Sequence, residues 1–382
     1  MLQYEQRWCS QMGYFNPYID PFKNHLNHTM PFYDIECYNR YKKYNFVYDK
    51  LWVMKSQGLM AGRLEKLKGK EKNVKYPIFI KPRWGHLSAT SKNCFKITSI
   101  EQLAKYIDYE NMMWSEFIDA TEGMTDFMML NGRIVHQITY IYSDKQNGFC
   151  DVWKYISPET LPPPVIIEWT NKHMSGYSGI LNVQYRDSKI IEVGLRFARG
   201  GAYVIATDNK HLIDNINLLY TKNEWNYDKK NEMKFKPYYS FKCYTTLPIV
   251  YIFPQKIIDR YMRKRTQRPF YEYYFEPTGS SGMVFFQFME DDYKTGMKLK
   301  MDIERAFDTT QVVMYFLIGY FFVLLYVRGK YTVLIYIVLL IWLTRFLNPI
   351  NSNFKIYKAQ SQLFLGKDSM NESNETIETF DE

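Results

Sequence analysis

Cysteine is scarce in this chain. Its 382 residues include five cysteines, which are scattered and never form a Cys-x-x-Cys pair. An odd number of isolated cysteines predicts neither a disulfide framework nor a zinc site, because both need paired or closely spaced ligands. A reducing compartment fits this pattern best. The five are Cys9, Cys37, Cys94, Cys150 and Cys243.

The amino end and the composition exclude further classes of protein. Residues 1–16 lack the apolar core of a signal peptide. The mean hydropathy of -0.38 excludes a polytopic membrane protein. The length predicts about two or three domains, and 46% hydrophobic residues are enough for a substantial core.

The net charge of +9 is spread along the chain, with one dense basic cluster at residues 260–268, RYMRKRTQR. A basic cluster before an apolar segment favours anionic lipid headgroups, to which each Lys or Arg contributes about 1 kcal/mol. We therefore expect the cluster to face lipid or solvent, and nucleic acid is the weaker alternative. Salt-dependent binding to any duplex would be the signature of that alternative.

Two uncharged runs follow the basic cluster, at residues 312–327 and 331–344, with Arg328, Gly329 and Lys330 between them. Each run is shorter than the roughly 20 residues of a full membrane span. Tyrosine and tryptophan at the edges match an interfacial aromatic belt. Two interpretations stay open: a tight helical hairpin with both flanks on one side of the bilayer, or a single long tilted helix. The glycine between two charges favours the hairpin, and either form predicts membrane attachment.

Residues 179–201, GILNVQYRDSKIIEVGLRFARGG, contain two alternating runs joined by a polar turn at 186–188. Alternation with a period of two predicts a β-hairpin, in which every second side chain points to one face. Gln184 and Glu192 then lie on facing strands, and Arg196 follows four residues later. Two oxygen ligands suit Mg²⁺ with phosphate oxygens, and a guanidinium binds phosphate bidentately. A solvated sheet face is the plainer alternative.

This hairpin resembles the carboxyl-terminal metal hairpin of ATP-grasp enzymes such as carbamoyl-phosphate synthase and biotin carboxylase. In that family a Gly-x-x-Asn-Val-Gln/Glu strand is followed by a Glu-Val-Asn-x-Arg strand. The resemblance implies that Gln184 and Glu192 hold Mg²⁺ and that Arg196 is catalytic. The chain departs from the pattern at Gly194, where the family often has Asn.

An upstream strand pattern fits the same family order. Residues 76–82, YPIFIKP, resemble the family's phosphate strand, which implies that Lys81 binds ATP phosphates and shares the catalytic role. The loop that follows would close over the phosphates with Ser88, and it is poor in glycine for the family. Backbone N–H groups and a cation around phosphate oxygens are the physical basis of such a site.

A helix pattern precedes that strand. Residues 46–59, FVYDKLWVMKSQGL, have the spacing of an amphipathic helix that ends at Gly58. They resemble the Asp-Lys helix that leads into the ATP-grasp domain, where the lysine touches phosphate. Lys50 is the matching residue, and a solvated helix lysine is the alternative.

Residues 112–118 resemble the family's adenine hinge, a strand whose exposed edge pairs with adenine through main-chain groups. Glu122 matches the acidic residue that usually takes the ribose hydroxyls. Asn131-Gly132 between two apolar runs is a hairpin turn signal. The adenine contacts implied by the resemblance are Glu116, Phe117 and Ile118.

We therefore predict the α+β class and an ATP-grasp fold, in which two α+β lobes clasp ATP, with a shortened amino-terminal region and a carboxyl-terminal transmembrane helical hairpin. The predicted parts are a short segment at 1–45, an ATP-grasp-like domain at 46–220, a juxtamembrane region of unassigned role at 221–310, a membrane hairpin at 311–346 and a polar acidic tail at 347–382.

Two hypotheses for function follow. The first is a membrane-anchored ligase that uses ATP and Mg²⁺ to activate a carboxylate as an acylphosphate for attack by an amine or similar nucleophile. The second is a catalytically inactive nucleotide-binding or scaffold protein on a membrane, favoured by Gly194 and the glycine-poor loop. The resemblance leaves the two substrates and the oligomeric state unspecified. A composition rich in Lys, Asn, Tyr and Ile fits an AT-rich genome, so a large DNA virus, with a host or virion membrane, is one source to expect.

Overall fold

The computed structural model describes residues 30–329, with gaps at 32, 88–92, 145, 148–149, 269 and 279–281, and also Val333. The described residues divide into two compact units. The larger holds the described residues up to Thr246 together with Lys256–Glu304, and the smaller holds Leu247–Gln255 and those from Arg305 onward. Helices and antiparallel sheets occur together, which confirms the α+β class.

Most helices are short, and their ends follow from local side chains. The helix α6, for example, begins after Asn209, whose side chain accepts a hydrogen bond from Leu212 N, and ends at Asn223 in the left-handed conformation. The α-helices among the described residues are α1 (Asp34–Arg40), α2 (Lys50–Lys55), α3 (Ile100–Leu103), α4 (Pro164–His173), α5 (Ala202–Ile205), α6 (Lys210–Lys222), α7 (Gln255–Met262) and α8 (Tyr293–Val327). Single 3-10 turns lie at Asn45–Tyr48, Leu64–Leu67, Glu71–Asn73, Gly85–Leu87, Ala198–Gly201 and Tyr227–Lys229.

All strand pairs in the described residues are antiparallel. The strands are β1 (Ala61–Arg63), β2 (Ile78–Pro82), β3 (Phe95–Ile97), β4 (Met112–Glu116), β5 (Glu122–Leu130), β6 (Arg133–Tyr142), β7 (Gln146–Asn147), β8 (Cys150–Asp151), β9 (Trp153–Ser157), β10 (Gly179–Arg186), β11 (Lys189–Gly194), β12 (Tyr238–Thr245), β13 (Tyr271–Pro277) and β14 (Met283–Glu290). They form a four-stranded sheet in the order β1-β4-β2-β3, an eight-stranded sheet in the order β11-β10-β5-β6-β9-β12-β14-β13, and the pair β7-β8.

The hairpin predicted at residues 180–193 is confirmed, since β10 and β11 pair with Gln184 opposite Glu192. The turn predicted at Asn131-Gly132 is also confirmed. It joins β5 to β6, and both of its residues have positive φ, 50° and 80°. A two-residue turn of this geometry matches the twist of the flanking strands.

Each sheet has its own apolar core. Both faces of the eight-stranded sheet are covered, because residues of opposite alternation pack against different helices. One face packs against α6 through Met128, Ile138, Ile180, Leu212, Ile216 and Leu219. The other packs against α4 through Phe127, Leu181, Val183, Ile166 and Trp169. The four-stranded sheet buries Ile78, Ile80, Ile97 and Met112 with Leu64 and Leu103.

The helix predicted for residues 46–59 is shorter than expected. A 3-10 turn covers Asn45–Tyr48, and α2 covers Lys50–Lys55. Asp49 between them is extended, with φ -79° and ψ 97°, and its side chain caps α2 by accepting from Leu51 N. Asp49 therefore interrupts the amphipathic spacing, because it ends the 3-10 turn and caps the start of α2.

The long helix α8 begins in the larger unit and continues into the smaller one. Among the described residues it is the one helix that is long and apolar enough, by length and composition, to cross a membrane. It ends at Val327, and Gly329 then adopts φ 64°. The helix therefore ends before Arg328, next to the Arg328-Gly329-Lys330 interruption at which the favoured hairpin interpretation placed its turn. The second apolar run, residues 331–344, lies outside the described residues apart from Val333.

Within the smaller unit, Gln311 fixes the start of the apolar run. This side chain is fully buried. Its Oε1 accepts from the N–H groups of Val250 and Tyr251 at 2.9 and 3.0 Å, and its Nε2 donates to Tyr251 O at 2.7 Å. Beyond Gln311 the large apolar side chains are exposed, and they include Phe316, Leu317, Tyr320, Phe321, Val323 and Tyr326.

Candidate functional site

The capping residue of α2 also ties that helix to the end of β2. The Asp49 carboxylate accepts two hydrogen bonds from Arg83, from Nε at 2.9 Å and from Nη2 at 2.6 Å. Such a bidentate pair fixes both direction and distance. Lys50, the first residue of α2, donates its backbone N–H to Arg83 O at 3.0 Å. Lys50 is therefore held next to the strand that carries Lys81.

Three of the residues predicted for the site meet, although they come from distant parts of the chain. Lys50 Nζ lies 3.3 Å from Glu192 Oε2. Lys81 Nζ donates to the carbonyl oxygen of Ile191 at 2.6 Å. Both lysines are buried, with 4% and 6% of their surface exposed. Lys50, Lys81 and Glu192 are called the lysine-glutamate cluster below.

This cluster carries more positive than negative charge. Burial and the neighbouring charge of Lys50 lower the pKa of Lys81 to about 8, and Glu192 opposes both effects. A buried ammonium without a full counter-charge is costly. An anion placed beside the two lysines would remove that cost, so the cluster is suited to bind phosphate oxygens.

The loop that follows β2 borders the cluster. A Cβ on Gly85 would lie 3.6 Å from Glu192 Oε1 and 3.4 Å from the backbone oxygen of Tyr48. Burial and the charges of Lys50 and Lys42 lower the pKa of His86 to about 3, so its imidazole is neutral. Its Nδ1 is buried with no hydrogen-bond partner in the part of the chain that the structure describes. Ser88, predicted for the same loop, lies outside the described residues.

Gln184 faces Glu192 across the hairpin, as predicted. Its Nε2 lies 3.8 Å from Met124 Sδ on β5. No group of three or more His, Cys, Asp or Glu side chains that could hold a metal ion occurs among the described residues. The donors fit Mg²⁺ only in company with phosphate, because Mg²⁺ accepts one or two protein oxygens and completes its shell with water and substrate phosphates.

Arg196 is held by a residue that the sequence did not indicate. Its Nη2 donates to Asp34 Oδ2 at 2.6 Å, and its Nη1 donates to Phe197 O at 2.9 Å. Burial alone would lower the pKa of Arg196, but the Asp34 carboxylate outweighs burial and raises it, so the charge is permanent. A Cβ on Gly194 would lie 3.3 Å from Asp34 Oδ1. The absence of a side chain at residue 194 thus leaves space for Asp34.

A second unpredicted carboxylate fixes the segment after the hairpin. Asp126 is fully buried on β5 and accepts from Tyr140 Oη and Asn182 Nδ2, both at 2.7 Å. It also accepts from Ala198 N at 3.1 Å. Burial raises the pKa of Asp126 to about 6, and these three donors oppose the rise. The donors hold the chain just past Arg196 against the sheet.

The strand predicted to offer an exposed edge to adenine is an interior strand, so that part of the prediction is wrong. β4 lies between β1 and β2. The N–H of Glu116 donates to Met60 O at 2.9 Å, and the N–H of Phe117 donates to Pro77 O at 3.3 Å. The short strand β1 takes the edge that the sequence pattern left open. Ile118 packs its side chain against Leu51, Met54 and Met113.

The two carboxylates predicted near the nucleotide are paired with the turn end of the hairpin. Glu116 Oε1 lies 2.6 Å from Lys189 Nζ. Glu122 Oε2 lies 3.2 Å from Arg186 Nη2. Burial raises the pKa of Glu122, and Arg186 opposes that rise. These pairs join the segment between β4 and β5 to the strands that carry Gln184 and Glu192.

A different group of charges combines Lys154 and Lys242, on the neighbouring strands β9 and β12 of the eight-stranded sheet, with Asp151 on β8 and Glu276 on the edge strand β13. Asp151 Oδ1 is 2.9 Å from Lys242 Nζ and 3.7 Å from Lys154 Nζ. Lys242 Nζ is also 3.8 Å from Glu276 Oε2, and Lys154 Nζ donates to Tyr203 Oη at 3.2 Å. Burial alone would raise the pKa of Asp151, but the two lysines outweigh burial and lower it. Asp151, Lys154, Lys242 and Glu276 are called the balanced cluster below.

Sequence reasoning missed four residues of the site: Asp34, Asp49, Arg83 and Asp126. Three of them carried a local signal. Asp49 directly precedes Lys50, as expected of an N-cap residue, and Arg83 follows the strand that ends at Pro82. Asp126 stands in an apolar strand, which marks a buried polar group in need of partners. The residues around Asp34 form no sequence pattern that would predict its place in the site.

No protein-family model matches the sequence, and a comparison with curated proteins finds no match. The structure is similar to an L-amino acid ligase from Bacillus licheniformis, with 14% identity over 67% of this chain and 69% of the other and a TM-score of 0.49. It is also similar to carboxyaminoimidazole ribonucleotide synthase from Aspergillus clavatus complexed with ATP, with 10% identity over 69% and 75% and a TM-score of 0.48. N5-carboxyaminoimidazole synthetase from Staphylococcus aureus complexed with ADP has 13% identity over 69% and 72%, with a TM-score of 0.46. At this level of likeness, function has to be argued from the site.

Proposed function

We propose that this protein is a membrane-anchored ligase of the ATP-grasp type, which uses ATP and Mg²⁺ to activate a carboxylate for attack by an amine or similar nucleophile. The observation that carries the proposal is the lysine-glutamate cluster. Lys50 forms an ion pair with Glu192 there, and burial together with the charge of Lys50 lowers the pKa of the buried Lys81. The polyphosphate of a nucleotide supplies negative charge that stabilises both protonated lysines.

The roles of the residues follow from their positions. Lys81 and Lys50 bind phosphate oxygens, and Lys81 exchanges its bond to Ile191 O for one to the ligand. Glu192 and Gln184 offer oxygen ligands to a Mg²⁺ ion that arrives with the nucleotide. When bound, that ion neutralises phosphate charge. Glu116, Phe117, Ile118 and Glu122 border the nucleoside in this proposal.

The reaction has two steps in this proposal. A carboxylate oxygen of the substrate forms a bond to the γ-phosphorus while the bond from that phosphorus to the β–γ bridging oxygen breaks, which releases ADP. The amine then attacks the acyl carbon, and inorganic phosphate leaves. Lys81 and Arg196 stabilise the negative charge on the transferring group, and positioning and electrostatics supply most of such catalysis.

The test of the proposal is nucleotide binding by the full-length protein in detergent. Thermal unfolding is followed with Mg²⁺ and a non-hydrolysable ATP analogue. Ligand at a hundred times its dissociation constant adds about 2.7 kcal/mol of stability. We expect a rise in Tm that needs both Mg²⁺ and nucleotide, and that is lost in Lys81→Ala and in Glu192→Ala.

Lys68→Ala is the matched control, because Lys68 is an exposed lysine paired with Asp108 and lies away from the cluster. It should keep the full rise in Tm. A folded wild-type protein with no rise in Tm would contradict the proposal. Binding without release of ADP, in the presence of a mixture of carboxylates and amines, would favour the catalytically inactive nucleotide-binding protein.

The membrane part of the proposal is carried by α8, whose apolar side chains beyond Gln311 are exposed. A charged residue at the centre of a membrane helix costs about 2.5–3.5 kcal/mol. One lysine in each apolar run, Phe316→Lys with Val338→Lys, should move the protein to the soluble fraction of lysed cells. Met60→Lys with Met301→Lys adds the same charge at two other exposed positions and should leave it with the membranes.

A further inference from the structure

The helix α1 belongs to the site although it lies far from it in sequence. Asp34 is its first residue, and it reaches Arg196 across 162 residues of sequence. Cys37, one turn later, is fully buried. The ring of Tyr38 stacks on His86 with 3.7 Å between centroids and 15° between planes. One short helix thus contacts both the loop after β2 and the segment that follows β11.

We propose that Asp34 is a positioning residue that holds Arg196 in the orientation needed to bind the terminal phosphate of a nucleoside triphosphate. This inference rests on the proposed function, because it assigns a task to the arginine of the same site. It adds a residue from a segment that neither the hairpin pattern nor the family resemblance includes.

The geometry supports positioning more than a purely structural ion pair. Asp34 is the first residue of α1, and its carboxylate accepts a hydrogen bond from Arg196 across the site. The guanidinium has five N–H groups. Two hydrogen bonds, to Asp34 and Phe197 O, hold it among the described residues, and its remaining N–H groups can serve a ligand.

The side chain of Asp34 lies close to Gly194 of the hairpin. A Cβ at residue 194 would come within 3.3 Å of Asp34 Oδ1, which is closer than an ordinary contact. Any larger side chain there would push the carboxylate away from Arg196. Gly194 is therefore the residue that admits Asp34 to the site, and its small size is explained by the chain's own geometry.

The experiment compares two nucleotides that differ at the terminal phosphate. Dissociation constants for Mg²⁺-ADP and for the Mg²⁺ complex of a non-hydrolysable ATP analogue are measured by calorimetry on the full-length protein in detergent. Their ratio reports binding of the terminal phosphate alone. A merely structural loss would weaken both nucleotides together and leave the ratio unchanged.

We expect Asp34→Asn to reduce the preference for the triphosphate about tenfold, since a charge-assisted contact to phosphate loses its fixed geometry. Glu36→Gln is the matched control, because it removes the same charge from an exposed position of the same helix. It should leave the ratio unchanged. Asp34→Glu keeps the charge and should recover part of the preference.

A double-mutant cycle decides whether Asp34 acts through Arg196. In the background of Arg196→Ala, which itself removes the preference, Asp34→Asn should have no further effect. An unchanged ratio in Asp34→Asn, or an equal loss in the presence and absence of Arg196, would overturn the inference. Failure of the wild-type protein to bind either nucleotide would instead contradict the proposed function, so the two failures are distinguishable.

Discussion

The larger unit buries two pairs of lysines, and the pairs differ in how their charge is balanced. In the balanced cluster, Lys154 and Lys242 share Asp151, and Glu276 lies 3.8 Å from Lys242. In the lysine-glutamate cluster, Lys50 pairs with Glu192, and burial and the charge of Lys50 act together on Lys81. The Asp151 side chain is 6% exposed, whereas that of Glu192 is 36% exposed.

The difference in charge balance distinguishes buried charges that stabilise the fold from buried charges that can bind a ligand. A balanced and fully buried group has its partners within the protein and gains nothing from a ligand. A group with excess charge near the surface is less stable alone and gains from an anion. The pKa values of Lys81 and Asp151 express this contrast. Burial and the charge of Lys50 lower the pKa of Lys81, which disfavours its charged form, whereas Lys154 and Lys242 lower the pKa of Asp151 against burial, which favours its charged form.

The largest effect on stability is expected at the balanced cluster. Asp151→Ala leaves Lys154 and Lys242 buried without their shared carboxylate, and breaking a buried pair from one side costs about 3–5 kcal/mol. Urea denaturation of the full-length protein in detergent measures the free energy of unfolding. A loss below about 1 kcal/mol would mean that the two lysines reach other partners, and the comparison would fail.

The second prediction is that one lysine variant in each cluster changes opposite properties, nucleotide affinity in one case and stability in the other. Lys81→Met should weaken nucleotide binding about 10- to 100-fold, the loss of one hydrogen bond to a charged group, while leaving the protein as stable as before or more so. Lys242→Met should do the reverse, lowering stability by about 1–3 kcal/mol with unchanged affinity. Calorimetry measures the nucleotide affinity of each variant, and urea denaturation measures its free energy of unfolding. If both variants lost affinity and stability to the same extent, the two clusters would not differ in the proposed way.

The third effect is a dependence on pH that has opposite signs for stability and for binding. The pKa of Lys81 is about 8 in the folded protein and 10.5 without perturbation. Between these values the unfolded chain binds more protons, so the stability of the ligand-free protein rises with pH. Nucleotide binding needs the protonated amine, so affinity stays level below pH 8 and falls above it, by about tenfold per pH unit. Lys81→Met should remove both slopes when binding and unfolding are measured across this range.

The smallest effect on stability is expected at an exposed ion pair. It serves as the reference for the effects at the two buried clusters. Lys68 Nζ and Asp108 Oδ1 lie 2.7 Å apart, with both side chains mostly exposed. Exposed ion pairs contribute about 0–1 kcal/mol. Asp108→Ala should therefore change the free energy of unfolding by less than about 0.5 kcal/mol and leave nucleotide affinity intact. A change as large as that of Asp151→Ala would show that burial is not what separates these pairs.

Local patterns in the sequence predicted the parts of the site that local forces determine. Alternation with a period of two placed Gln184 opposite Glu192, and the structure has that register. Positive φ at Asn131-Gly132 followed from the residue types. The sequence also placed Lys81 at the end of its strand. These features depend on neighbours within a few residues, which is where sequence periodicity is informative.

Contacts between distant segments could not be predicted in the same way. The ion pair of Arg196 with Asp34 joins a hairpin to a helix in an aromatic segment without a periodic pattern. The extra strand β1, three residues long, covers the edge of β4 and carries too few residues for alternation to be seen. The predicted helix is interrupted at Asp49, whose side chain accepts from Arg83, a residue 34 positions away that directly follows β2.

The order of strands in the eight-stranded sheet has a consequence for biosynthesis. The five strands that come first in that order, β11-β10-β5-β6-β9, are contiguous in the sheet and are all made before residue 195. Every residue assigned to the nucleotide site is also made by Arg196, whereas α8 begins only at Tyr293. Because chains fold from the amino end as they are synthesised, we expect the site to close while α8 is still being made. The proposed nucleotide site would then be complete before the helix that carries the proposed membrane attachment.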